Sequence, residues 1–116
     1  MAPNAIATSN YSKVQGITIR SNGIIGIHRG TAEKYGLLLT MKFASLNFDA
    51  FESVLTITAA EQSPTTFEVL RDKESGLKFK CRSFLDEHQI PFRKVSRAFP
   101  VVNGEEGKEI RIKVEY

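Results

Sequence analysis

The sequence lacks several features that would define a class of protein at once. Its 116 residues include one cysteine and no tryptophan, so an internal disulfide and a cysteine-based metal site are both excluded. No apolar run reaches the ~18 residues of a membrane-spanning helix. There is no glycine-rich phosphate loop or nucleophile elbow, and neither His28 nor His88 has a second histidine at metal-ligand spacing. We therefore expect no enzyme, no bound metal and no cofactor.

What remains is the composition of an ordinary folded domain. Hydrophobic residues make up 41% and charged residues 25% of the chain, which excludes a fully disordered protein. The net charge of +3 is a mild basic excess. Residues 1–15 are small and polar without a signal-peptide pattern. The sequence thus predicts a flexible arm over 1–15, a single domain over 16–116, no membrane association and a cytoplasmic location.

Alternation of apolar and polar residues predicts that most of this domain is β-structure. The predicted strands cover residues 17–20, 24–27, 39–48, 53–59, 67–71, 77–82, 93–99 and 109–115. A short helix is predicted over 31–35, with Thr31 as its N-cap and Gly36 as its stop, and another over 83–89, beginning at Ser83. Turns are expected at Asn22-Gly23 and over 49–52, 72–76 and 103–107. The predicted fold class is α+β, mostly β, with about eight strands.

Both halves of the domain show the same predicted order: strand, turn, strand, short helix, strand, turn, strand. The two units cover residues 16–62 and 65–116, and their sequences have negligible identity. Either an internal duplication or a chance recurrence of β-hairpins accounts for the pattern.

The inward phase of the predicted strands defines the expected core. Its members are Ile17, Ile19, Ile25, Ile27, Leu46, Leu55, Ile57, Phe67, Val69, Leu77, Phe79, Ile110, Ile112 and Val114. Cys81 lies on the same phase and is expected to be an inert buried thiol. Phe51, in a hairpin loop, and Phe92, next to Pro91, are the two phenylalanines expected at the surface, where they would be available to stack on bases.

The stretch over residues 17–37 resembles the N-terminal unit of the AbrB/SpoVT/MazE-type swapped-hairpin DNA-binding family. The resemblance lies in the Asn22-Gly23 turn and in Tyr35-Gly36-Leu37 at the end of the helix. Ile27-His28 stands where that family usually has Ile-Pro. Units of the family pair into a barrel that grips DNA with basic side chains from strands and loops. The resemblance therefore implies a pseudo-two-fold β-barrel, with both units in one chain.

Basic side chains in three short stretches are the candidates for nucleic-acid contact. Alternation predicts that the first stretch lies on one strand face, where its cations would follow a phosphate backbone. It consists of Lys78, Lys80 and Arg82. The second stretch precedes the first helix, at the place where the resembled family puts polar DNA contacts. It consists of His28 and Arg29, with Arg20 on the same surface. The third, after Pro91, consists of Arg93, Lys94 and Arg97.

Two functions remain open at this point. The first is a small non-enzymatic nucleic-acid-binding protein, a transcriptional regulator of the swapped-hairpin type. The second is a protein–protein interaction module, an adaptor or an inhibitor, on a β-barrel scaffold. A protein partner or a homo-oligomer is compatible with either. Each basic stretch also has the composition of an ordinary solvated surface.

Overall fold

The computed structural model describes residues 16–72, 76–94 and 97–114. The predicted arm over 1–15 lies outside these residues, as do the middle of the predicted turn over 72–76 and two positions of the predicted strand over 93–99. The fold is mostly β, with two antiparallel sheets and two short helices, as predicted. The described strands are β1 (Ile17–Ile19), β2 (Ile24–Ile27), β3 (Phe43–Asp49), β4 (Val54–Ala60), β5 (Phe67–Glu68), β6 (Leu70–Asp72), β7 (Gly76–Lys80), β8 (Arg97–Phe99), β9 (Val101–Glu105) and β10 (Glu109–Lys113). The helices are α1 (Arg29–Lys34) and α2 (Arg82–Glu87).

The two sheets combine strands from both halves of the chain. The first sheet has the order β6-β7-β2-β1-β8, and the second has the order β5-β3-β4-β10-β9. Only Val69 separates β5 from β6, and only Pro100 separates β8 from β9. Two segments of the chain therefore pass directly from one sheet to the other. Pro100 suits such a break because it has no N–H to donate to a strand ladder.

The core lies between the sheets and is close to the one predicted. Eleven of the predicted positions are buried, and Leu46, Phe67 and Val69 are partly buried against them. The prediction that Phe92 is exposed is wrong, because its side chain is buried with a relative exposure of 2%. Strand alternation does not identify buried residues within the helices or in the segments that follow them. It therefore does not predict the burial of Leu85 in α2, or of Leu37, Met41, Ile90 and Phe92 after the helices.

Helix α1 begins earlier than predicted because its N-cap is His28. The His28 Nδ1 atom accepts a hydrogen bond from the Gly30 backbone N–H at 3.2 Å. Thr31, the predicted N-cap, is buried inside the helix instead, where its hydroxyl accepts from the Gly16 N–H at 2.6 Å. The predicted stop at Gly36 is confirmed, with a φ of +66°.

Helix α2 also begins before the predicted residue. Its first residue is Arg82, and the N-cap is Cys81, whose side chain makes no capping hydrogen bond. The prediction that Ser83 starts the helix is therefore wrong. Strand β7 accordingly ends at Lys80 rather than at residue 82.

The other strand boundaries differ where the chain bends. The predicted strand over 67–71 is divided at Val69, whose N–H donates to the Lys42 carbonyl at 3.0 Å. Of the predicted strand over 93–99, Arg97–Phe99 is a strand and residues 92–94 form a turn. The predicted turn over 103–107 is also wrong in part, because β9 continues to Glu105.

Among the described residues, no helix is both long enough and apolar enough to cross a membrane.

Candidate nucleic-acid interface

The centre of the first sheet joins two hairpins with the same register. In the first hairpin Thr18 of β1 lies opposite Gly26 of β2, and in the second Leu70 of β6 lies opposite Lys78 of β7. Where the hairpins meet, Gly26 and Lys78 lie opposite each other. The two residues at the centre thus hold corresponding positions in their hairpins. A local two-fold relation of the backbone follows for these four strands.

An ion pair crosses this centre. Arg20 and Asp72 are 52 positions apart and lie at corresponding ends of their hairpins, with the Arg20 Nη2 atom 3.1 Å from the Asp72 Oδ2 atom. The Lys78 Nζ atom lies 4.0 Å from the same oxygen. Asp72 is the least exposed of the three side chains, at 16%. Two of the predicted contact residues, Arg20 and Lys78, are therefore partly neutralised by a carboxylate.

Each helix begins with an exposed arginine that pairs along the helix. The Arg29 Nε atom lies 3.8 Å from the Glu33 Oε2 atom, and the Arg82 Nε atom lies 3.8 Å from the Asp86 Oδ2 atom. The arginine side chains are 67% and 60% exposed. Exposed pairs four residues apart contribute only about 0.3–0.5 kcal/mol. Either guanidinium is thus able to leave its carboxylate for a phosphate at little cost.

The starting residue of each helix packs against the turn of the other unit's hairpin. A Cβ atom added at Gly23 would lie 2.9 Å from the Arg82 Cα atom, and one added at Gly76 would lie 2.7 Å from the Arg29 Cα atom. Both glycines have positive φ values, +83° and +91°. Glycine is therefore required for conformation and for space at both places. This contact fixes both arginines relative to the first sheet.

The row of Lys78, Lys80 and Arg82 predicted on one strand face is only partly present. Lys78 and Lys80 lie on the outer face of β7, opposite the buried Leu77 and Phe79. Arg82 belongs to α2 because the strand ends at Lys80. Lys80 is exposed and forms no ion pair with any described residue. Two cations, not three, therefore share this strand face.

The third predicted stretch is a turn followed by an edge strand. Arg93 and Lys94 are exposed in the turn over 92–94. The Arg93 guanidinium lies 4.9 Å from the centroid of the Phe92 ring, and that of Arg97 lies 4.8 Å from the centroid of the Phe99 ring. Arg97 of β8 lies opposite Ile19 of β1 and so borders the first sheet.

Most of the predicted contact residues thus belong to one sheet and to the two helices that follow its strands. Arg29 and Arg82 lie at opposite ends of the antiparallel β2–β7 pair, because each begins the helix after one of these strands. Sequence analysis did not identify Asp72 as the residue that holds Arg20 and Lys78. Its place in a predicted turn gives no signal for a contact across two intervening strands.

Cys81 adjoins this surface but is chemically inert. Its Sγ atom donates to the Gly23 carbonyl at 3.8 Å, and the side chain is 1% exposed. Burial raises the pKa of the Cys81 thiol to about 12, so the nucleophilic thiolate is scarce at neutral pH. The prediction of a buried core thiol is confirmed. No group of three or more histidine, cysteine or acidic side chains among the described residues is arranged to hold a metal ion.

Comparison with protein-family models, with curated proteins and with solved structures finds no match for this chain.

Proposed function

We propose that this chain is a nucleic-acid-binding protein that uses one cationic surface. This surface comprises Arg20, His28, Arg29, Lys78, Lys80 and Arg82, with Arg93, Lys94 and Arg97 beside it. The observation that carries the proposal is the matched pair of arginines. Arg29 and Arg82 each begin a six-residue helix, are exposed, and are packed against the opposite hairpin.

Two arginines in corresponding positions suit a ligand that carries negative charges at regular intervals. Phosphates recur along a nucleic-acid backbone, and a planar guanidinium donates two parallel hydrogen bonds to a phosphate. Glu33 and Asp86 contact the arginines through weak, exposed ion pairs. A phosphate replaces either carboxylate without leaving a buried charge unpaired. Lys80, two residues before Arg82, adds an exposed cation at the Arg82 end of the surface.

The proposal includes an internal duplication that builds a pseudo-two-fold β-barrel. Its support is the strand order: β7 and β2 meet at the centre of the first sheet, and β4 and β10 meet in the second. In each case the hairpin of one unit pairs with the hairpin of the other. The direct passages at Val69 and Pro100 join the edge strands of the two sheets, which is how a barrel would close without free edges.

Binding is tested by fluorescence anisotropy with labelled single- and double-stranded DNA and RNA at several salt concentrations. We expect the affinity to fall with salt, because bound phosphates release counterions. The double variant Lys80→Gln/Arg82→Gln should lower the slope of log K against log salt by up to about 0.9 per lost phosphate contact.

The matched control is Lys34→Gln/Lys108→Gln, which removes two exposed cations near the turn between β9 and β10. This variant should bind more tightly than the double variant on the cationic surface. Wild-type protein that binds none of the four nucleic acids at low salt would overturn the proposal. Equal losses in both variants would show only unspecific attraction to net charge.

A protein-interaction module is the second candidate, and Phe51 favours it. The Phe51 side chain is 94% exposed at the tip of the hairpin formed by β3 and β4. The Asp49 Oδ1 atom accepts from the N–H groups of Phe51 and Glu52, at 3.0 and 3.1 Å, and so holds the tip rigid. A rigid exposed aromatic side chain is typical of an anchor in protein interfaces. Absence of any nucleic-acid binding would favour this candidate.

A further inference from the structure

A groove runs between α1, the segment after it and β6, and Lys80 is not among its lining residues. One cavity of about 380 Å³ is lined by Arg29, Leu38, Arg71, Asp72 and Gly76. A second cavity of about 450 Å³ is lined mainly by small or apolar residues, Ala32, Gly36, Leu38 and Leu39, and also by Glu33, Thr40 and Arg71. Leu38 and Arg71 line both cavities, so the two cavities adjoin each other. We call this feature the Arg71 groove.

Arg71 differs from the other arginines of the described chain. Four of them have carboxylate partners: Arg20, Arg29, Arg82 and Arg111. Arg93 and Arg97 lie over phenylalanine rings. The Arg71 Nη2 atom instead donates to the Leu38 carbonyl at 3.0 Å, and no described carboxylate lies within ion-pair distance of it. The carbonyl holds the guanidinium where the cavities meet, with further N–H donors left for a ligand.

Two acidic residues line the groove, Asp72 in the first cavity and Glu33 in the second, but each is paired with a cation other than Arg71. Asp72 already contacts Arg20 and Lys78, and Glu33 already contacts Arg29. An anion next to Arg71 would therefore meet a positive potential from Arg71 and from the cations around it. The apolar cavity begins immediately beside this position, because Leu38 provides both the carbonyl partner and a shared wall.

We propose that the Arg71 groove binds the carboxyl-terminal end of a peptide whose last residue is apolar. A carboxylate matches the planar guanidinium of Arg71 through two parallel hydrogen bonds. In such a peptide the carboxylate and the last side chain leave the same Cα atom, which fits a cationic cavity that continues into an apolar one. Recognition of a terminal carboxylate is a recurrent mode of peptide binding.

The shape and lining of the groove favour a peptide over other anions with an apolar part. Leu39 is 81% exposed beside the apolar cavity, so the groove is open and lets a chain run out along the surface. An acyl chain would instead require an enclosed cavity. No aromatic side chain among the described residues lines either cavity, so a nucleotide base would find no stacking partner.

The test uses the full chain labelled with ¹⁵N and three probes: N-acetyl-leucyl-leucine, its carboxyl-terminal amide, and inorganic phosphate. We expect the free acid to shift the backbone amide signals of residues 38–40 and 71–72 in a saturable manner. The amide probe should bind at least about tenfold more weakly, because it lacks the charge that pairs with Arg71. Phosphate alone should also bind more weakly, because it leaves the apolar cavity empty.

Two variants separate the cationic and apolar parts of the site. Arg71→Gln should weaken binding of the free acid about tenfold and remove its advantage over the amide. Leu39→Ala should weaken both peptide probes, and neither exposed substitution should unfold the chain. Lys108→Gln is the control for loss of one positive charge and should bind the free acid like the wild type.

Several results would overturn the proposal: equal binding of acid and amide, unchanged binding by Arg71→Gln, shifts confined to other regions, or phosphate binding as tight as that of the free acid. The anisotropy measurements on nucleic acids do not use Arg71. Arg29 lines the groove and also belongs to the cationic surface. The variants Arg71→Gln and Leu39→Ala change no residue of that surface, so failure of one proposal is recognised separately from failure of the other.

Discussion

The two stretches predicted as units, residues 16–62 and 65–116, position their helices in the same way with different side chains. Each helix has six residues. Each is followed by a residue with positive φ, Gly36 at +66° and Gln89 at +56°, and then by a buried Leu37 or Ile90. The two backbone arrangements are similar although their residues differ. Burial and turn geometry therefore determine where each helix ends and how the chain continues, without local sequence identity.

At the centre of the first sheet, by contrast, the difference between the residues at corresponding positions has a structural consequence. Corresponding positions there carry Arg20 and Asp72, and they also carry Gly26 and Lys78. In a dimer of identical units, corresponding positions would hold the same residue, so an ion pair between them could not form. A single chain can give the two positions opposite charges. Under the proposed duplication, joining the two units in one chain permits an ion pair that a symmetric dimer excludes.

The largest expected effect comes from the core where the two units meet. Phe79 of β7 lies opposite Ile25 of β2, and both side chains are buried. Phe79→Ala should lower the free energy of unfolding by about 3–5 kcal/mol, because it leaves a cavity between the hairpins. Urea denaturation measures this loss. Phe51→Ala, at 94% exposure, is the control and should change it by less than about 0.5 kcal/mol.

The next effect tests whether the two hairpin turns are equivalent. Gly23→Ala and Gly76→Ala should each destabilise by about 2–3 kcal/mol, because both need positive φ and both would press a Cβ atom against backbone. Gly107→Ala is the control: its φ is +72°, but a Cβ atom there meets nothing within 4 Å. It should lose only about 1 kcal/mol. The turns are not equivalent if the losses of unfolding free energy caused by Gly23→Ala and Gly76→Ala differ from each other as much as either differs from the loss caused by Gly107→Ala.

Sequence patterns predict the parts of this fold that depend on local alternation. The hairpin of β1 and β2, its Asn22-Gly23 turn and the inward phase of Ile25 and Ile27 follow directly from the sequence. The starts of both helices do not. His28 is an unusual N-cap, and Cys81 caps with no side-chain bond. The usual preference for serine and threonine therefore pointed to residues inside the helices.

In the candidate site, too, the sequence predicts some features and not others. Sequence spacing identifies exposed cations such as Arg29 and Lys80, but not their partners. Asp72 of β6 contacts Arg20, which follows β1, across the two intervening strands β7 and β2. Arg71 is fixed by the carbonyl of Leu38, 33 positions away. Such contacts depend on sheet order, which alternation within one strand does not specify. Arg82 was placed on the wrong element because alternation continues past the true end of β7.

A smaller effect tests the ion pair across the centre. In a double-mutant cycle, Arg20→Gln and Asp72→Asn should each destabilise, and their coupling should be about 1 kcal/mol, because both side chains are partly exposed. Thermal or urea unfolding of the four proteins gives the coupling. A second cycle with Lys78→Gln and Asp72→Asn serves for comparison. Its coupling should be weaker, because the Lys78 Nζ atom lies 4.0 Å from the Asp72 Oδ2 atom. A coupling free energy near zero would mean that the ion pair between Arg20 and Asp72 contributes nothing to stability.

Substitution of Arg29 or Arg82 should have the smallest effect on stability, and it tests most directly whether the two predicted units contribute equally to binding. Arg29→Gln and Arg82→Gln each remove one exposed pair along a helix, so each should change the free energy of unfolding by no more than about 0.5 kcal/mol. If both units contact the same nucleic acid, each substitution should lower the salt slope by up to about 0.9, and the two losses should be similar. Urea denaturation and anisotropy titrations measure the two quantities separately. A loss confined to Arg82→Gln would mean that the matched backbone positions serve one contact only, on the side where Lys80 lies. A destabilisation above about 1 kcal/mol by either change would instead assign that arginine to the packing of the opposite turn.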